Sequence, residues 1–313
     1  MPILFFKGFK KIFPPLLGVF LIYYSYLNTT YAERIEIYSS MKSANYKYVF
    51  LSICLGILSH LSRSVRWQAM LKPLGFNIKF SNSIMSVLVA FLSNLGIPRS
   101  GEFLRASSIS YYEKIPFEKS FGTIVTERII DVFILIGLII YGLTISSIIE
   151  IPKFSVNNKL IVILVFLLIF GFIIYYYISK TRFKNKITNV ISGLTKGIFS
   201  ILKIKNKSIF IFHSLFIWIC YFLMFYVVKF SLVETYNLEF EPLFLAFLAG
   251  AIAMALTNGG IGAYPLAIAA VISQYEIPYE SALALGWIVW VSQTLMIITF
   301  GSLSFVFLPI LNK

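Results

Sequence analysis

The chain has few of the residues that run chemistry in solution. Two cysteines, two histidines and one aspartate, Asp131, are spread through 313 residues. Cys54 and Cys220 stand far apart inside apolar stretches with no CxxC spacing, which argues against both a zinc site and a disulfide framework. His60 and His213 are isolated, and no HExxH spacing accompanies them, so no metal or other cofactor is implied. Glycine-rich nucleotide-binding motifs are missing too, which leaves an ion gradient, the membrane potential or a ligand gradient to drive any transport. Acids are also scarce, with 13 Asp and Glu against 27 Lys and Arg and a net charge of +14. Such an excess suits nucleic acid, yet the cations flank apolar runs instead of forming a basic helix with interleaved stacking residues. No nucleic-acid partner is expected, and the acidic partner is more naturally a membrane surface.

What fills the chain instead is hydrocarbon. Hydrophobic residues make up 58%, charged residues 13%, and mean hydropathy is +0.85. These values describe an all-α polytopic membrane protein, read here as one integral domain over residues 1–313. Full spans are predicted at Ile12–Tyr31, Tyr46–Trp67, Ser120–Ile149, Leu160–Ser179, Ser208–Ser231 and Ala282–Leu308, about six in all. Between the first two lies a short polar link with Glu33, Arg34, Glu36 and Lys42. From Lys180 to Lys207 there are eight cations and no acid, which marks a cytoplasmic loop. Apolar spacing at 187–194 suits either a stretch lying on the leaflet or a solvated basic loop. Counting spans from that loop places both termini in the cytoplasm of a cell-membrane protein.

Two apolar stretches are too short to span comfortably and each ends in helix breakers. Ile84–Ile97 runs into Asn94-Leu95-Gly96-Ile97-Pro98-Arg99-Ser100-Gly101-Glu102 and returns over Phe103–Tyr112. Leu243–Leu256 runs into Thr257-Asn258-Gly259-Gly260-Ile261-Gly262 and returns over Ala267–Tyr275. Irregular backbone at membrane depth survives only inside protein or beside water, so both read as re-entrant broken hairpins. The first carries Arg99, Glu102 and Arg105, charges suited to an anion pocket near a new helix start; a surface hairpin with those charges solvated or mutually paired is the alternative. Arg63 and Arg66 lie one turn apart before Trp67, either in the same pocket or as a snorkelling anchor with the tryptophan at the interface. Glu127 and Asp131 share a helical face with Arg128 alongside, and such acids need arginines from other helices to complete them. The alternative is a purely structural ion cluster.

The layout also suggests an inverted repeat, 12–149 and 160–308, in which each half has a span, a second span, a broken hairpin and a long third span. The Asn-x-Gly-Ile core at both breaks fits that, and Asn258, Gly259, Gly260 and Gly262 then join the first hairpin at a shared site.

Taken together, Arg63-x-x-Arg66-Trp67, the break ending Gly101-Glu102-x-x-Arg105, Thr126-Glu127-Arg128-x-x-Asp131 and Gly259-Gly260-Ile261-Gly262 resemble the membrane region of lysylphosphatidylglycerol synthases and related stand-alone flippase-like proteins. The resemblance implies a multi-pass membrane protein with phospholipid translocation assigned to the synthase version. Full synthases continue into a soluble aminoacyl-transferring domain, whereas this sequence ends at Lys313, so synthase activity is not expected. The family commonly has an acid shortly after the late glycines, where this sequence has Tyr264-Pro265. The leading expectation is a protein that binds and moves an anionic lipid, a phospholipid or polyprenyl phosphate, with the arginines on phosphate. The alternatives are a membrane-embedded enzyme using Glu102, Glu127 or Asp131 as general base on a lipid-linked phosphate, and a non-catalytic membrane partner subunit.

Overall fold

A computed structural model of the chain describes residues 20, 22–27, 29–147 and 192–312. Among these residues every regular element is helical. The elements are α1 (Tyr31–Ser43), α2 (Tyr46–Leu71), α3 (Phe80–Gly96), α4 (Gly101–Tyr112), α5 (Phe117–Ile145), α6 (Lys207–Val228), α7 (Phe240–Leu256), α8 (Ala263–Ile272) and α9 (Tyr279–Ile310). Four helices, among the described residues, are long and apolar enough to cross a membrane: α2, α5, α6 and α9 with their short 3₁₀ extensions. Half of the expected span at 12–31 and all of that at 160–179 lie outside the described residues, as does most of the 187–194 stretch.

The polar link expected after the first span is instead the helix α1. Its cause is local: Thr30 accepts from the Glu33 amide at 3.3 Å while the Glu33 carboxylate accepts from the Thr30 amide at 2.6 Å, a reciprocal cap that satisfies two orphan donors. Along α2 the buried residues Val49, Ser52, Gly56, Ser59, Arg63, Arg66 and Met70 recur every three or four positions, one continuous face. Small residues on that face allow close approach. A Cβ on Gly56 would stand 2.6 Å from Gln293 Oε1 of α9, and Ser52 accepts from Gln293 Nε2 at 3.0 Å.

The two broken stretches form two helix pairs of matching size. Each opens with a 17-residue helix, α3 or α7, followed by a shorter one of 12 residues, α4, or 10, α8. At the first break the Gly101 amide donates to Asn94 Oδ1 at 2.7 Å, and Ser93 and Ser100 bond through their hydroxyls. Gly101 is required here, because a Cβ would sit 2.1 Å from the Ala90 carbonyl oxygen. At the second break Gly259, Gly260 and Gly262 all take positive φ, between +63° and +74°. The breaks touch: Asn258 Nδ2 donates to the Leu95 carbonyl at 2.9 Å.

Of three apolar clusters among the described residues, two hold most of the elements. The larger runs through α6 to α9, including Leu243, Ala246, Ile268, Ile272, Leu283 and Leu285, all at most 1% exposed. The smaller joins Trp67, Leu71, Val87, Ala106, Ile109 and Ile124 from α2, α3, α4 and α5. Two of its members, Trp67 and Ile124, border the charged residues.

Candidate functional site

The charges come from three helices whose faces converge. α2 presents Arg63 and Arg66, α4 presents Glu102 and Arg105, and α5 presents Glu127, Arg128 and Asp131. At the centre Arg66 grips Asp131 with two bonds, Nη1 to Oδ1 at 2.8 Å and Nη2 to Oδ2 at 3.2 Å, and its Nε reaches Glu127 Oε1 at 3.4 Å. Arg63 Nη1 donates to the same Asp131 Oδ2 at 3.2 Å. Arg105 Nη1 donates to the other Glu127 oxygen at 2.6 Å. Toward the periphery Arg128 bonds Glu102 Oε1, at 2.9 Å from Nη2, and comes within 3.9 Å of Asp131.

The side chains of Arg63, Arg66, Arg105 and Glu127 are at most 3% exposed, whereas Arg128 is 42% exposed. Arg63 and Arg66 therefore do not snorkel. The paired desolvation of so many ions is costly, and it is offset only where each ion has good partners. Hydroxyls complete several: Tyr221 accepts from Arg63 Nη2 at 2.7 Å, and Ser214 accepts from Arg66 Nη1 at 3.3 Å. Trp67, expected at the membrane interface, is instead fully buried. Its ring carries the Arg105 guanidinium 3.9 Å from the centroid, and its Nε1 donates to Thr123 Oγ1 at 2.9 Å.

The network is unbalanced. Among the described residues four guanidiniums face three carboxylates, an excess of one positive charge when all are ionised. Arg105 Nε and Nη2, Arg63 Nε and Glu102 Oε2 are buried without a hydrogen-bond partner among the described residues. Arg105 and Arg128 line a cavity of about 10 Å³ together with Glu102, Asn94, Phe91 and Ile124, room for the centre of about one water.

Of the residues expected at the site, Arg63, Arg66, Glu102, Arg105, Glu127, Arg128 and Asp131 form this one network. Arg99 does not join it. It is exposed on the break with φ of +59° and makes no ion pair among the described residues. Asn258, Gly259, Gly260 and Gly262 stand at the neighbouring break, where Asn258 holds Leu95, and the Gly259 carbonyl accepts from Trp290 Nε1 at 2.8 Å. Tyr264 is buried in the first turn of α8. Tyr221, Ser214 and Thr123 escaped the sequence reading because a hydroxyl within an apolar run carries no periodic signal.

Convergent helices that bury an arginine-rich ion network define a polytopic membrane protein with a polar interior. Residues 12–301 match the lysylphosphatidylglycerol synthase TM region, and the chain belongs to that family. Among relatives, a UPF0104 membrane protein of Methanocaldococcus jannaschii is 34% identical over 105 residues, covering 32% of this chain and 31% of that protein. A second UPF0104 membrane protein of the same organism is 28% identical over 224 residues, 69% of this chain and 93% of its own length. Glycosyltransferase AglD of Haloferax volcanii is 26% identical over 113 residues, 36% of this chain and only 18% of that enzyme. No solved structure matches.

Proposed function

We propose that this protein binds an anionic lipid, a phospholipid or polyprenyl phosphate, and moves it across the cell membrane, with Arg105 and Arg128 taking the phosphate. The observation that carries this reading is Arg105: a guanidinium 3% exposed, with Nε and Nη2 unpaired, lining a cavity in a cluster that has one positive charge too many. Buried donors without partners are rare and each calls for an explanation, and a phosphate oxygen supplies one. The cavity is too small for a phosphate as it stands, so entry requires the half-exposed Glu102–Arg128 pair to open. Glu127 and Asp131 hold the remaining arginines while the site is empty. In this reading the two helix pairs are re-entrant hairpins of an inverted repeat with both termini in the cytoplasm, and their equal 17-residue first helices support it. The glycosyltransferase activity in the name of AglD is not carried over, since the match covers so little of that enzyme.

The test is translocation of headgroup-labelled phosphatidylglycerol in reconstituted vesicles. Arg105→Lys keeps a cation beside Glu127 but removes the planar fork, so translocation should slow by about 10- to 100-fold, the worth of one charge-assisted bond. Unchanged translocation in a folded Arg105→Lys protein refutes the reading. Appearance of a chemically new lipid product points to the enzyme alternative instead.

A further inference from the structure

Beside the small polar cavity lies a second, larger one of about 430 Å³, and the two share Glu102, Ile124 and Arg128 as lining residues. The rest of its wall is apolar: Phe121, Val125, Ile129, Val132, Phe133 and Ile136. Apart from Phe133 these follow one another at intervals of three or four along α5, a single helical stripe. Ile129, Val132, Phe133 and Ile136 are 45–69% exposed. At a rise of about 1.5 Å per residue the stripe from Phe121 to Ile136 is roughly 22 Å long. One leaflet contributes about half of the roughly 30 Å hydrocarbon core, so the stripe is longer than one leaflet is deep. Arg128 falls about midway along that stripe, so an apolar run of roughly 12 Å leads from the pair bordering the buried Arg105 guanidinium to Ile136, which is the polarity profile of a lipid: charged at the head and apolar along the chain.

Building on the headgroup reading above, we propose that this groove is an acyl-chain subsite, and that the substrate is a long-chain phosphate lipid entering sideways from the membrane along α5 through the Glu102–Arg128 pair. The shared lining residues make the path continuous, so chain and headgroup are seated together. A soluble anion arriving by the same route would cross an apolar wall that offers it nothing. The Glu102–Arg128 pair stands where the two cavities join, and as the most exposed pair in the network, at 22% and 42%, it is the cheapest to break. A headgroup phosphate replaces Glu102 on Arg128 with an equivalent acceptor, so the exchange conserves charge-assisted bonds.

The experiment measures binding of dioleoyl and dihexanoyl phosphatidic acid to the detergent-solubilised full chain, for the native protein and for Ile129→Trp, Val132→Trp and Arg105→Lys. A bulky ring in the groove should lower the ratio of dioleoyl to dihexanoyl affinity by about tenfold or more, as removing roughly two methylenes from contact would. Arg105→Lys should weaken both lipids and leave their ratio unchanged. If the tryptophan variants leave the ratio where it was while Arg105→Lys weakens both lipids, the groove is not the chain subsite and the headgroup reading stands alone. If Arg105→Lys has no effect and the ratio still falls, the phosphate contact is wrong and the chain subsite stands. A drop in thermal stability of the tryptophan variants, with both lipids weakened equally, would show the groove to be filled by other parts of this chain and would overturn the proposal.

Discussion

At the first break, between α3 and α4, the backbone turns with the help of side chains: Asn94 accepts the Gly101 amide, Ser93 and Ser100 bond each other, and Arg99 is held in the left-handed region. At the second break, between α7 and α8, three glycines supply the left-handed positions and an indole from α9 bonds the Gly259 carbonyl. The first pair contributes Glu102 and Arg105 to the ion network. The second carries a single charge, Glu241, in the first turn of α7, where it accepts from the Ser147 amide at 2.6 Å and the Tyr275 hydroxyl at 2.8 Å. Two helix pairs of matching size thus divide the labour. One uses polar side chains to turn and also hosts charge, while the other turns mainly on left-handed glycines and packs as an apolar wall.

The sharpest way to break this contrast is to unbalance the charged side. Glu127→Ala leaves Arg105 buried beside no carboxylate and removes one of the two that Arg66 holds, and the expected loss is about 3–5 kcal/mol or outright failure to accumulate folded protein. Thermal unfolding in detergent measures it. A loss below about 1 kcal/mol would mean that water reaches the network freely.

A smaller effect compares the two turns directly. In Gly101→Ala the added carbon collides with the Ala90 carbonyl, backbone that cannot move aside, so about 2–3 kcal/mol is expected. In Gly260→Ala the added carbon meets side chains of Met254 and Tyr264 at 3.0 Å, and the cost is mainly that of a left-handed alanine, about 1–2 kcal/mol. The reverse order, read from the same melting curves, would contradict the assignment of steric closeness to the first break and backbone freedom to the second.

The smallest change is a gain. Arg99→Gly releases a left-handed non-glycine residue, worth about 1–2 kcal/mol, and returns part of that through the larger unfolded-state entropy of glycine, about 0.5–1 kcal/mol. A stabilisation of about 0.5–1 kcal/mol is therefore expected, with translocation unaffected. Lost translocation in this variant would place Arg99 back in the pocket.

Much of the site was legible because charge in an apolar run is conspicuous: Arg63, Arg66, Arg105, Glu127 and Asp131 stood out by cost alone, and helical spacing put the acids on one face. Spacing cannot say which residue of a break faces inward, and that is why Arg99 and Arg105 read alike although only Arg105 is buried. Trp67 misled for a related reason, since an indole beside two arginines looks the same at an interface and beneath a cation. The helix α1 was hidden by its charges, although Thr30-x-x-Glu33 spelled its cap. Helix ends were extended by a few residues where polar side chains continue the apolar run, as Phe80–Ser83 does for α3.

The stacking of Arg105 on Trp67 makes the pocket optically self-reporting. The indole is sealed from solvent and held by Thr123, and the cation on its face contributes strongly to the electric field at the ring. A phosphate that draws the guanidinium away changes that field. With the other three tryptophans replaced by phenylalanine, the colour of the light emitted by Trp67 then tracks occupancy with no label on lipid or protein.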